Sequence, residues 1–331
     1  MRKPAVDVIV PCYNYGKYLN ECVFSIVNQA DVDVRVLVID DASSDESPEI
    51  AARLSAADAR VHSRCHATNA GHISTYNEGF AWAEAPYVLL ISADDLLIPG
   101  ALARAAVALD THPRAVFAYG RQVLFDIEPI APRDEPWDHK RCAVQPGPDF
   151  IAELCRLGHN PVATPTVVVR TAAQHRVGGY DPALPHTADL LNWLKLAAYG
   201  DAIFLDVHQA FKRRHTRNMQ IQYVVAPEGD VPQRVQAFEH FWRDCTHLLS
   251  DTCQLQANAS GALARDVLGR AADAFDSADE VTCEELLKLC RSLSPEIAKT
   301  RGWRRLSLKR RLGPKLSARL AGVAHAMRLS V

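Results

Sequence analysis

The stretch Tyr87–Gly100 reads YVLLISADDLLIPG, and it decides the fold class of the chain. Residues 88–92 form a short apolar run, which is typical of a strand that is covered on both faces. Asp94 and Asp95 follow at the carboxyl end of that strand, where ligands bind in an open α/β sheet. Two adjacent carboxylates at this edge predict a site for a cation such as Mg²⁺ or Mn²⁺. The alternative is that they cap the next helix.

The first hundred residues alternate between strand and helix patterns. Three further strands are predicted at Asp7–Pro11, Val34–Asp40 and Arg60–Ser63. A segment with helical spacing follows each of the three. This alternation predicts a parallel, doubly wound α/β sheet. The polar clusters Cys12–Gly16 and Asp40–Asp45 come at strand ends rather than on helices.

The composition is that of a soluble globular protein, with 48% hydrophobic and 23% charged residues. The nine cysteines show no CxxC spacing, which favours buried thiols of a reducing compartment over a disulfide frame or a zinc site. The apolar run Val6–Val10 is too short for a signal peptide. No run approaches the ~18 apolar residues of a membrane span. We therefore expect a cytoplasmic protein.

The chain is predicted to continue the sheet beyond residue 100 and then to become helical. Further strands are predicted at Ala115–Gly120, Thr166–Arg170 and Ala202–Val207. The segment Glu128–Pro148 is predicted to be a loop, Arg213–Asn218 a basic loop and Pro227–Val235 a linker. The predicted organisation is an α/β domain over residues 1–225 (halves 1–125 and 126–225), a helical extension over 226–298 and a basic tail over 299–331.

The tail differs from the rest of the chain in its charge. Ten of the 37 basic residues lie from Lys299 onward, where the sequence has no acidic residue. Leu312, Leu316, Leu320, Val323 and Met327 fall on one stripe of a helix. A basic amphipathic helix over 303–329 predicts peripheral contact with the inner membrane face. A helix packed on the body, or a dimer contact, is the alternative, and the oligomeric state stays open.

Four motifs in order identify the chain by resemblance. They are residues 8–14 (VIVPCYN), 38–45 (VIDDASSD), 69–71 (NAG, with Asn77) and 92–95 (SADD, with Pro99-Gly100). Together they resemble the family 2 glycosyltransferases, which have the GT-A fold. Residues 178–181 (GGYD), Asp189 with the helix after it, and 213–218 (RRHTRN) are similar to the acceptor half of that family. The resemblance implies a doubly wound mixed α/β sheet flanked by helices, here with a helical C-terminal extension.

The resemblance implies a nucleotide-sugar site at the strand ends. The residues that match the family's donor-binding positions are Pro11, Tyr13, Asn14, Asp41, Asn69, Asp94 and Arg213. Tyr13 offers an aromatic face for the base, and Asp41 can accept a hydrogen bond from a pyrimidine N3–H. The alternatives are that Tyr13 packs on the helix after it and that Asp41 is an Asx-turn residue.

The resemblance also implies a metal site and a general base. Asp95 matches the family's direct ligand of Mn²⁺ or Mg²⁺, Asp94 the residue nearer the ribose, and His215 a late histidine at the metal or diphosphate. By family position Asp189 is the base, although Ala188 replaces the usual glutamate before it, and Asp189 as an N-cap is the alternative. His186 lies close in sequence and is a second candidate on the acceptor side. Tyr76 replaces the arginine that often precedes the residue matched by Asn77.

The resemblance therefore implies an inverting, metal-dependent glycosyltransferase. It would move a sugar from a UDP- or dTDP-linked donor to a hydroxyl acceptor, sugar or lipid-linked, in the synthesis of a surface polysaccharide or glycoconjugate. The alternatives are a non-catalytic nucleotide-sugar-binding scaffold subunit and a sugar nucleotidyltransferase, although the loop PCYNYGKY is not a glycine-rich triphosphate loop. No GxGxxG follows the first strand, which excludes a Rossmann dehydrogenase. The acidic body argues against nucleic-acid binding.

Overall fold

The structure is a computed structural model, and it describes residues 3–126, 141–216 and 226–313. The described residues form two compact units. The first comprises the described parts of Met1–Ile151, Asn160–Asn218 and His240–Leu249, and the second those of Ala152–His159, Met219–Glu239 and Ser250–Val331. The first unit contains the whole sheet, and the second contains helices.

Nine strands of the described residues form a single mixed sheet. The strands are β1 (Ala5–Cys12), β2 (Asp33–Asp40), β3 (Val61–Cys65), β4 (Tyr87–Leu90), β5 (Leu96–Leu97), β6 (Ala115–Phe125), β7 (Cys142–Gln145), β8 (Val168–Arg170) and β9 (Asp201–Arg213). Their order in the sheet is β3-β2-β1-β4-β8-β6-β9-β5, and β7 pairs with β9 off this path. The predicted mixed α/β sheet with flanking helices is confirmed.

The helices alternate with the strands at first and then follow one another. They are α1 (Gly16–Val27), α2 (Ser47–Ala57), α3 (His72–Trp82), α4 (Ala101–Thr111), α5 (Gly147–Leu157), α6 (Thr171–Val177), α7 (Ala188–Tyr199), α8 (Val231–Cys245), α9 (Thr252–Asp276), α10 (Glu280–Leu293) and α11 (Arg301–Leu312). Short 3₁₀ turns at Thr164–Thr166, Thr246–Leu248 and Pro295–Lys299 connect some of them.

The parallel half of the sheet follows from the apolar runs of the sequence. β1 pairs in parallel with both β2 and β4, and β2 pairs in parallel with β3. β1 is buried from Val6 to its end because α1 and α3 cover its two faces. Gly79 of α3 lies so close to β1 that an added Cβ would lie 2.2 Å from Ile9. This close packing brings the ends of β1, β2 and β4 to one edge.

The antiparallel half departs from the sequence prediction in three places. β9 runs on to Arg213, so the first residue of RRHTRN lies in a strand and not in a loop. Leu96–Leu97 forms β5, which pairs with the end of β9, and Cys142–Gln145 forms β7 within the segment predicted to be a loop. These strands depend on pairing with β9, a contact over more than fifty residues of sequence that no local pattern encodes.

The helical unit confirms the helical patterns over residues 235–298 and corrects the linker. α8 begins at Val231, inside the segment predicted as a linker. α9 packs along α10, and buried leucines line their interface. Asp279 caps α10, since its side chain accepts a hydrogen bond from the Thr282 amide at 3.0 Å. No helix among the described residues combines the length and the apolar character needed to cross a bilayer.

The basic tail is described only as far as Gly313. Within it α11 buries Trp303 and Leu306, while Leu308 is 58% and Leu312 38% exposed. Lys309 pairs with Asp276 and Arg310 with Glu284. Most of the predicted stripe, from Leu316 onward, lies outside the described residues.

Candidate active site

The loops after β1 and β2 are joined by hydrogen bonds at the edge of the sheet. Asn14 adopts a left-handed backbone conformation, its amide donates to Ser43 Oγ at 2.8 Å, and its Oδ1 accepts from the Ser44 amide at 2.8 Å. Asp45 accepts from the Gly16 amide at 3.0 Å. With both loops fixed, Tyr13 stays 49% exposed, so its ring does not pack into the core. Pro11 is buried in β1, and its carbonyl accepts from the Ala93 amide.

The carboxylate of Asp41 is buried, and three donors hold it. Its Oδ1 accepts from the Ala70 amide and from His66 Nδ1, each at 2.7 Å, and its Oδ2 accepts from the Gly71 amide at 2.9 Å. Asn69 Nδ2 donates to the Asp41 carbonyl at 3.2 Å. Asp41 is thus bonded to the loop before α3 rather than to its own turn, which argues against the Asx-turn alternative.

Asp94 and Asp95 lie side by side in the turn between β4 and β5, and only 4% and 5% of each is exposed. They do not cap a helix, because α4 begins at Ala101 with Gly100 at its N-cap. Asp95 Oδ1 accepts from the Arg213 amide at 2.9 Å. Burial and the neighbouring Asp94 raise the pKa of the Asp95 carboxyl well above its usual range. Two buried carboxylates in contact therefore favour a bound cation.

The end of β9 brings Arg213 and His215 to this pair. His215 Nε2 lies 2.9 Å from Asp94 Oδ2, and its ring stacks on Tyr18 at 5.7 Å between centroids. The Arg213 guanidinium lies over the rings of Tyr18 and Phe125, at 4.3 and 4.4 Å from their centroids. Its Nε donates to the Asp94 carbonyl at 3.0 Å, and it forms an ion pair with Glu21 at 2.7 Å.

Arg213 is therefore fixed by cation–π and hydrogen-bond contacts rather than extended into solvent. The sequence motif RRHTRN suggested a basic loop, whereas two of its residues flank the carboxylate pair. Arg214 faces away and pairs with Asp126 at the surface. The last two residues of the motif, 217 and 218, lie outside the described residues.

Asp189 lies in the first turn of α7, where Thr187 holds the N-cap position. Its Oδ2 accepts from Asn160 Nδ2 at 2.8 Å and its Oδ1 from the Leu190 amide at 2.7 Å. The Val162 amide donates to Asn160 Oδ1 at 2.8 Å, which fixes the orientation of the Asn160 side chain. Burial raises the pKa of Asp189 despite these hydrogen bonds. A carboxylate with a raised pKa has the properties of a general base.

Both carboxylate groups influence the phenol of Tyr76. Burial, followed by the charges of Asp94, Asp189 and Asp95, raises the pKa of its phenol. Residues 94 and 189 are far apart in sequence, so their common effect on the pKa of Tyr76 indicates that both lie near it in the fold. Lys212 faces both groups as well, because its positive charge opposes the rise in the pKa of Asp95 and of Asp189.

A glycine turn connects α3 to the region before α7. Asn77 Nδ2 donates to the Tyr180 carbonyl at 2.8 Å, and its Oδ1 accepts from the Tyr180 amide at 2.6 Å. A Cβ at Gly179 would lie 2.4 Å from that Oδ1. Gly178 has a φ of +85°, a conformation that glycine adopts at little cost. GGYD therefore positions Tyr180, whose ring lies 5.9 Å from that of Tyr76.

Asp94 and Asp95 fit a divalent cation that takes most of its ligands from water and substrate phosphates. Among the described residues no group of three or more His, Cys, Asp or Glu side chains is arranged to hold a metal by itself. Asp94 and Asp95 nevertheless supply buried, hard oxygen ligands. Mg²⁺ in particular is commonly bound by one or two carboxylates together with water and substrate phosphates.

Sequence reasoning missed three polar residues that contact the site. His66 and Asn160 bond directly to Asp41 and Asp189, and Lys212 faces both carboxylate groups. His66 lies three residues before the predicted Asn69, and Lys212 immediately precedes Arg213. Closeness in sequence to Asn69 and to Arg213 was the only local signal for His66 and Lys212. Asn160 belongs to the segment 159–165, which carries no recognisable pattern.

The GT-A architecture is also found in solved glycosyltransferases. Residues 1–349 of S. aureus TarS, in complex with UDP-GlcNAc, superimpose with a TM-score of 0.64 at 19% identity, over 93% of this chain and 91% of that one. The mannosyltransferase PcManGT from Pyrobaculum calidifontis, in complex with GDP-Man and Mn²⁺, gives a TM-score of 0.52 at 17% identity, over 97% and 86%. At these identities the likeness concerns the fold.

Sequence comparisons agree with this class of enzyme. Glycosyltransferase GlyG of Streptococcus pneumoniae is 34% identical over 92 residues, and an uncharacterized glycosyltransferase of Haemophilus influenzae is 30% identical over 129. These matches cover 28% and 39% of this chain, but only 31% and 51% of the relatives' own lengths. An uncharacterized Mycobacterium tuberculosis protein is 25% identical over 245 residues, which is 70% of this chain and 74% of the relative.

Fold and site together define a glycosyltransferase of the GT-A class. Residues 7–170 match the sequence profile described as glycosyl transferase family 2, and the chain belongs to that family. The match includes the loops around Tyr13 and Asp41 and the Asp94-Asp95 pair. It ends before Asp189 and Arg213, whose roles are therefore argued from their positions in the structure.

Proposed function

We propose that the protein is an inverting, metal-dependent glycosyltransferase that uses a UDP- or dTDP-linked sugar and a hydroxyl acceptor. The observation that carries the proposal is the common effect of Asp94, Asp95 and Asp189 on Tyr76. It supports a single site that contains both the predicted base and the predicted metal pair. A single in-line displacement needs a base on the acceptor side and charge stabilisation at the leaving group.

The donor would lie along the edge formed by β1, β2 and β4. The exposed Tyr13 ring offers a stacking face for the base, and Asp41 would accept a hydrogen bond from an N–H group of the base. Asn14 and Asn69 act by holding the loops that carry Tyr13 and Asp41 in place. UDP-GlcNAc in TarS and GDP-Man in PcManGT are the donors of fold relatives, which supports a nucleotide sugar here.

Asp95 and Asp94, with His215 beside them, would hold Mn²⁺ or Mg²⁺. When bound, the cation supplies positive charge against the diphosphate that leaves. Arg213 lies against the same pair through its backbone amide and its Nε, so its guanidinium adds fixed positive charge at the diphosphate end. PcManGT contains Mn²⁺ together with its nucleotide sugar, which is consistent with this assignment.

Asp189 would take the proton of the acceptor hydroxyl while the hydroxyl oxygen forms a bond to C1 of the sugar. The bond from C1 to the diphosphate oxygen breaks at the same time, and the electron pair leaves with the nucleoside diphosphate. Asn160 and the Leu190 amide orient the carboxylate for this transfer. Because the attack comes from the side opposite the leaving group, the configuration at C1 inverts.

The alternatives remain a scaffold subunit without activity and a sugar nucleotidyltransferase. A scaffold has no need of a buried carboxylate with a raised pKa opposite a second carboxylate pair, so Asp189 favours an enzyme. A nucleotidyltransferase has to bind a triphosphate, and the loop after β1 carries Tyr13 and Asn14 rather than a run of glycines.

The proposal is tested by nucleotide release from a panel of UDP-, dTDP- and GDP-sugars. Each donor is incubated with the full chain in Mn²⁺, in Mg²⁺ and in EDTA, with water as the acceptor. We expect slow release from a UDP- or dTDP-sugar that stops in EDTA. Release from GDP-sugars alone would overturn the donor class. Absence of both release and donor binding would favour the scaffold.

The hydrogen bond from Asn160 should set the acid limb of the pH profile. Asp189 acts as a base only when ionised, so kcat/KM should rise with pH through its raised pKa. The Asn160 amide stabilises the ionised form, and therefore Asn160→Ala should move the acid limb to higher pH and lower the rate at neutral pH. The measurement is the pH profile of nucleotide release for both proteins. An unmoved acid limb would contradict the assignment of Asp189 as the base.

We further propose a peripheral location at the inner membrane face, in a role in surface polysaccharide or glycoconjugate synthesis. α11 exposes Leu308 and Leu312 beside basic residues, which suits an anionic lipid surface. Replacing both Arg304 and Arg305 with Glu should weaken co-sedimentation with anionic vesicles at least tenfold, since each basic residue contributes ~1 kcal/mol there. Lys288→Glu is the control, since Lys288 is exposed on α10, and it should have a smaller effect. Equal binding to neutral vesicles would contradict this location.

A further inference from the structure

His66 lies between two carboxylates, and both of its ring nitrogens are used. Nδ1 is 2.7 Å from Asp41 Oδ1, and Nε2 is 2.8 Å from Glu78 Oε2. Glu78 is held in turn by Arg64, at 2.9 Å from its Oε1. A carboxylate oxygen accepts hydrogen bonds, so both nitrogens donate when the imidazole is protonated. In agreement with this, the hydrogen bond to Asp41, and then that to Glu78, raises the pKa of His66.

Counting acceptor positions on Asp41 shows what the histidine does. An ionised carboxylate has about four lone-pair positions. On Asp41 two positions of Oδ1 are taken by the Ala70 amide and His66, and one position of Oδ2 by the Gly71 amide. Among the described residues no donor takes the fourth position, on Oδ2. The three donors fix the plane of the carboxylate and leave one acceptor for a ligand N–H.

We propose that His66, anchored by Glu78, is a positioning residue that holds Asp41 for one N–H donor of the base and so selects uracil or thymine over cytosine. The inference rests on the proposed function, in which Asp41 receives the base. Uracil and thymine carry a proton on N3, whereas cytosine carries a lone pair there, which an ionised carboxylate repels. His66 acts by preventing rotation of the Asp41 carboxylate.

Without His66 the carboxylate loses the one side-chain donor that it has among the described residues. The Ala70 and Gly71 amides remain, so the loop before α3 keeps its hydrogen bonds and the fold should persist. This hydrogen bond to a carboxylate orients Asp41, and the loss of that orientation should weaken binding of the base about tenfold. Only binding of the base should respond to this loss, because His66 does not contact Asp94, Asp95 or Asp189 in any hydrogen bond or ion pair of the described residues.

The test is calorimetric binding of UDP and CDP, with Mn²⁺, to the full chain and three variants. His66→Ala should weaken UDP binding about tenfold while CDP binding changes little, so that the ratio of the two affinities falls. Glu78→Gln should give a smaller loss of UDP binding at neutral pH. Arg60→Gln removes a comparable exposed ion pair, that with Asp58 at the other end of β3, and should change neither affinity.

The pH dependence separates positioning from a general loss of structure. In the wild type, UDP affinity should persist above pH 6.5 and fall as the pH passes the raised pKa of His66. The charged groups that face His66 are Asp41 and Glu78, with Arg64 behind Glu78. Glu78→Gln removes one carboxylate that raises this pKa, so the fall should begin at lower pH. Thermal unfolding of each variant checks that it is folded.

The outcomes distinguish this inference from the proposed function. If the wild type binds UDP more tightly than CDP and His66→Ala and Glu78→Gln bind both as the wild type does, the inference is wrong and the donor class stands. If the wild type binds UDP no better than CDP, selection at Asp41 does not exist and the inference is equally wrong. Failure of the wild type to bind or turn over any UDP- or dTDP-linked compound overturns the proposed donor class, and the inference with it.

Discussion

Replacing Asp189 with asparagine is expected to lower kcat for nucleotide release by about 10²–10⁴-fold, which is the usual contribution of a positioned general base. Asparagine can still accept from the Leu190 amide, so α7 should keep its first turn. The dissociation constant of the donor should change little, because the base acts on the acceptor side. Steady-state kinetics and donor titration with the same preparation measure both quantities.

The matched control for this change is Asp149→Asn. Asp149 also lies in the first turn of a helix, α5, and is exposed. Both changes remove an acid that favours the helix dipole, which contributes about 0.3–1 kcal/mol. If Asp149→Asn and Asp189→Asn reduced activity to the same small extent, Asp189 would be a helix-stabilising residue and the catalytic assignment would be wrong.

Asp95→Asn is expected to reduce metal-dependent nucleotide release by about 10²–10³-fold, the cost of removing a preorganised electrostatic contact to a leaving group. In the wild type, Mn²⁺ with UDP should raise the unfolding temperature, and in the variant it should not. The stability of the metal-free protein should be maintained or increased. Asparagine removes a buried charge beside Asp94 while its Oδ1 still accepts from the Arg213 amide.

This combination of lost function and retained stability is what identifies a ligand residue. A purely structural Asp95 would predict the reverse, with a metal-free protein that unfolds at lower temperature. Asp126→Asn is a suitable control, since Asp126 is exposed and pairs with Arg214 near the end of β9. It should leave both release and metal response unchanged. Full activity of Asp95→Asn in the presence of EDTA would exclude a metal at this pair.

Much of the donor half could be predicted because local signals there agree with one another. The apolar runs of β1, β2 and β4 predict parallel strands, and polar residues at their ends predict a ligand edge. In the structure Tyr13 is exposed at this edge, and Asp41 and the Asp94-Asp95 pair are buried beside their strands. Pattern and position coincide because strand ends in a parallel sheet must meet at one side.

The acceptor half was less predictable because its contacts join distant segments. β5 has two residues and exists because Leu96 and Leu97 pair with Phe211 and Ala210 of β9. The pairing of β9 with β6, in which Phe125 is the partner of Arg213, turns the start of RRHTRN into the end of a strand. A strand of two residues has no periodicity of its own, and only its partner stabilises it.

The sequence by itself determined the family, the mixed α/β sheet with its parallel strands and the carboxylates that follow those strands. Motif residues adjacent in sequence stay adjacent in space, so Asp94 next to Asp95 needs no tertiary information. Only the tertiary structure decided which side chains hold those carboxylates. His66 at Asp41 and Asn160 at Asp189 are contacts across 25 and 29 residues of sequence. The physical reason is that hydrogen bonds and burial depend on distance in space, and chain folding sets that distance for residues far apart in sequence.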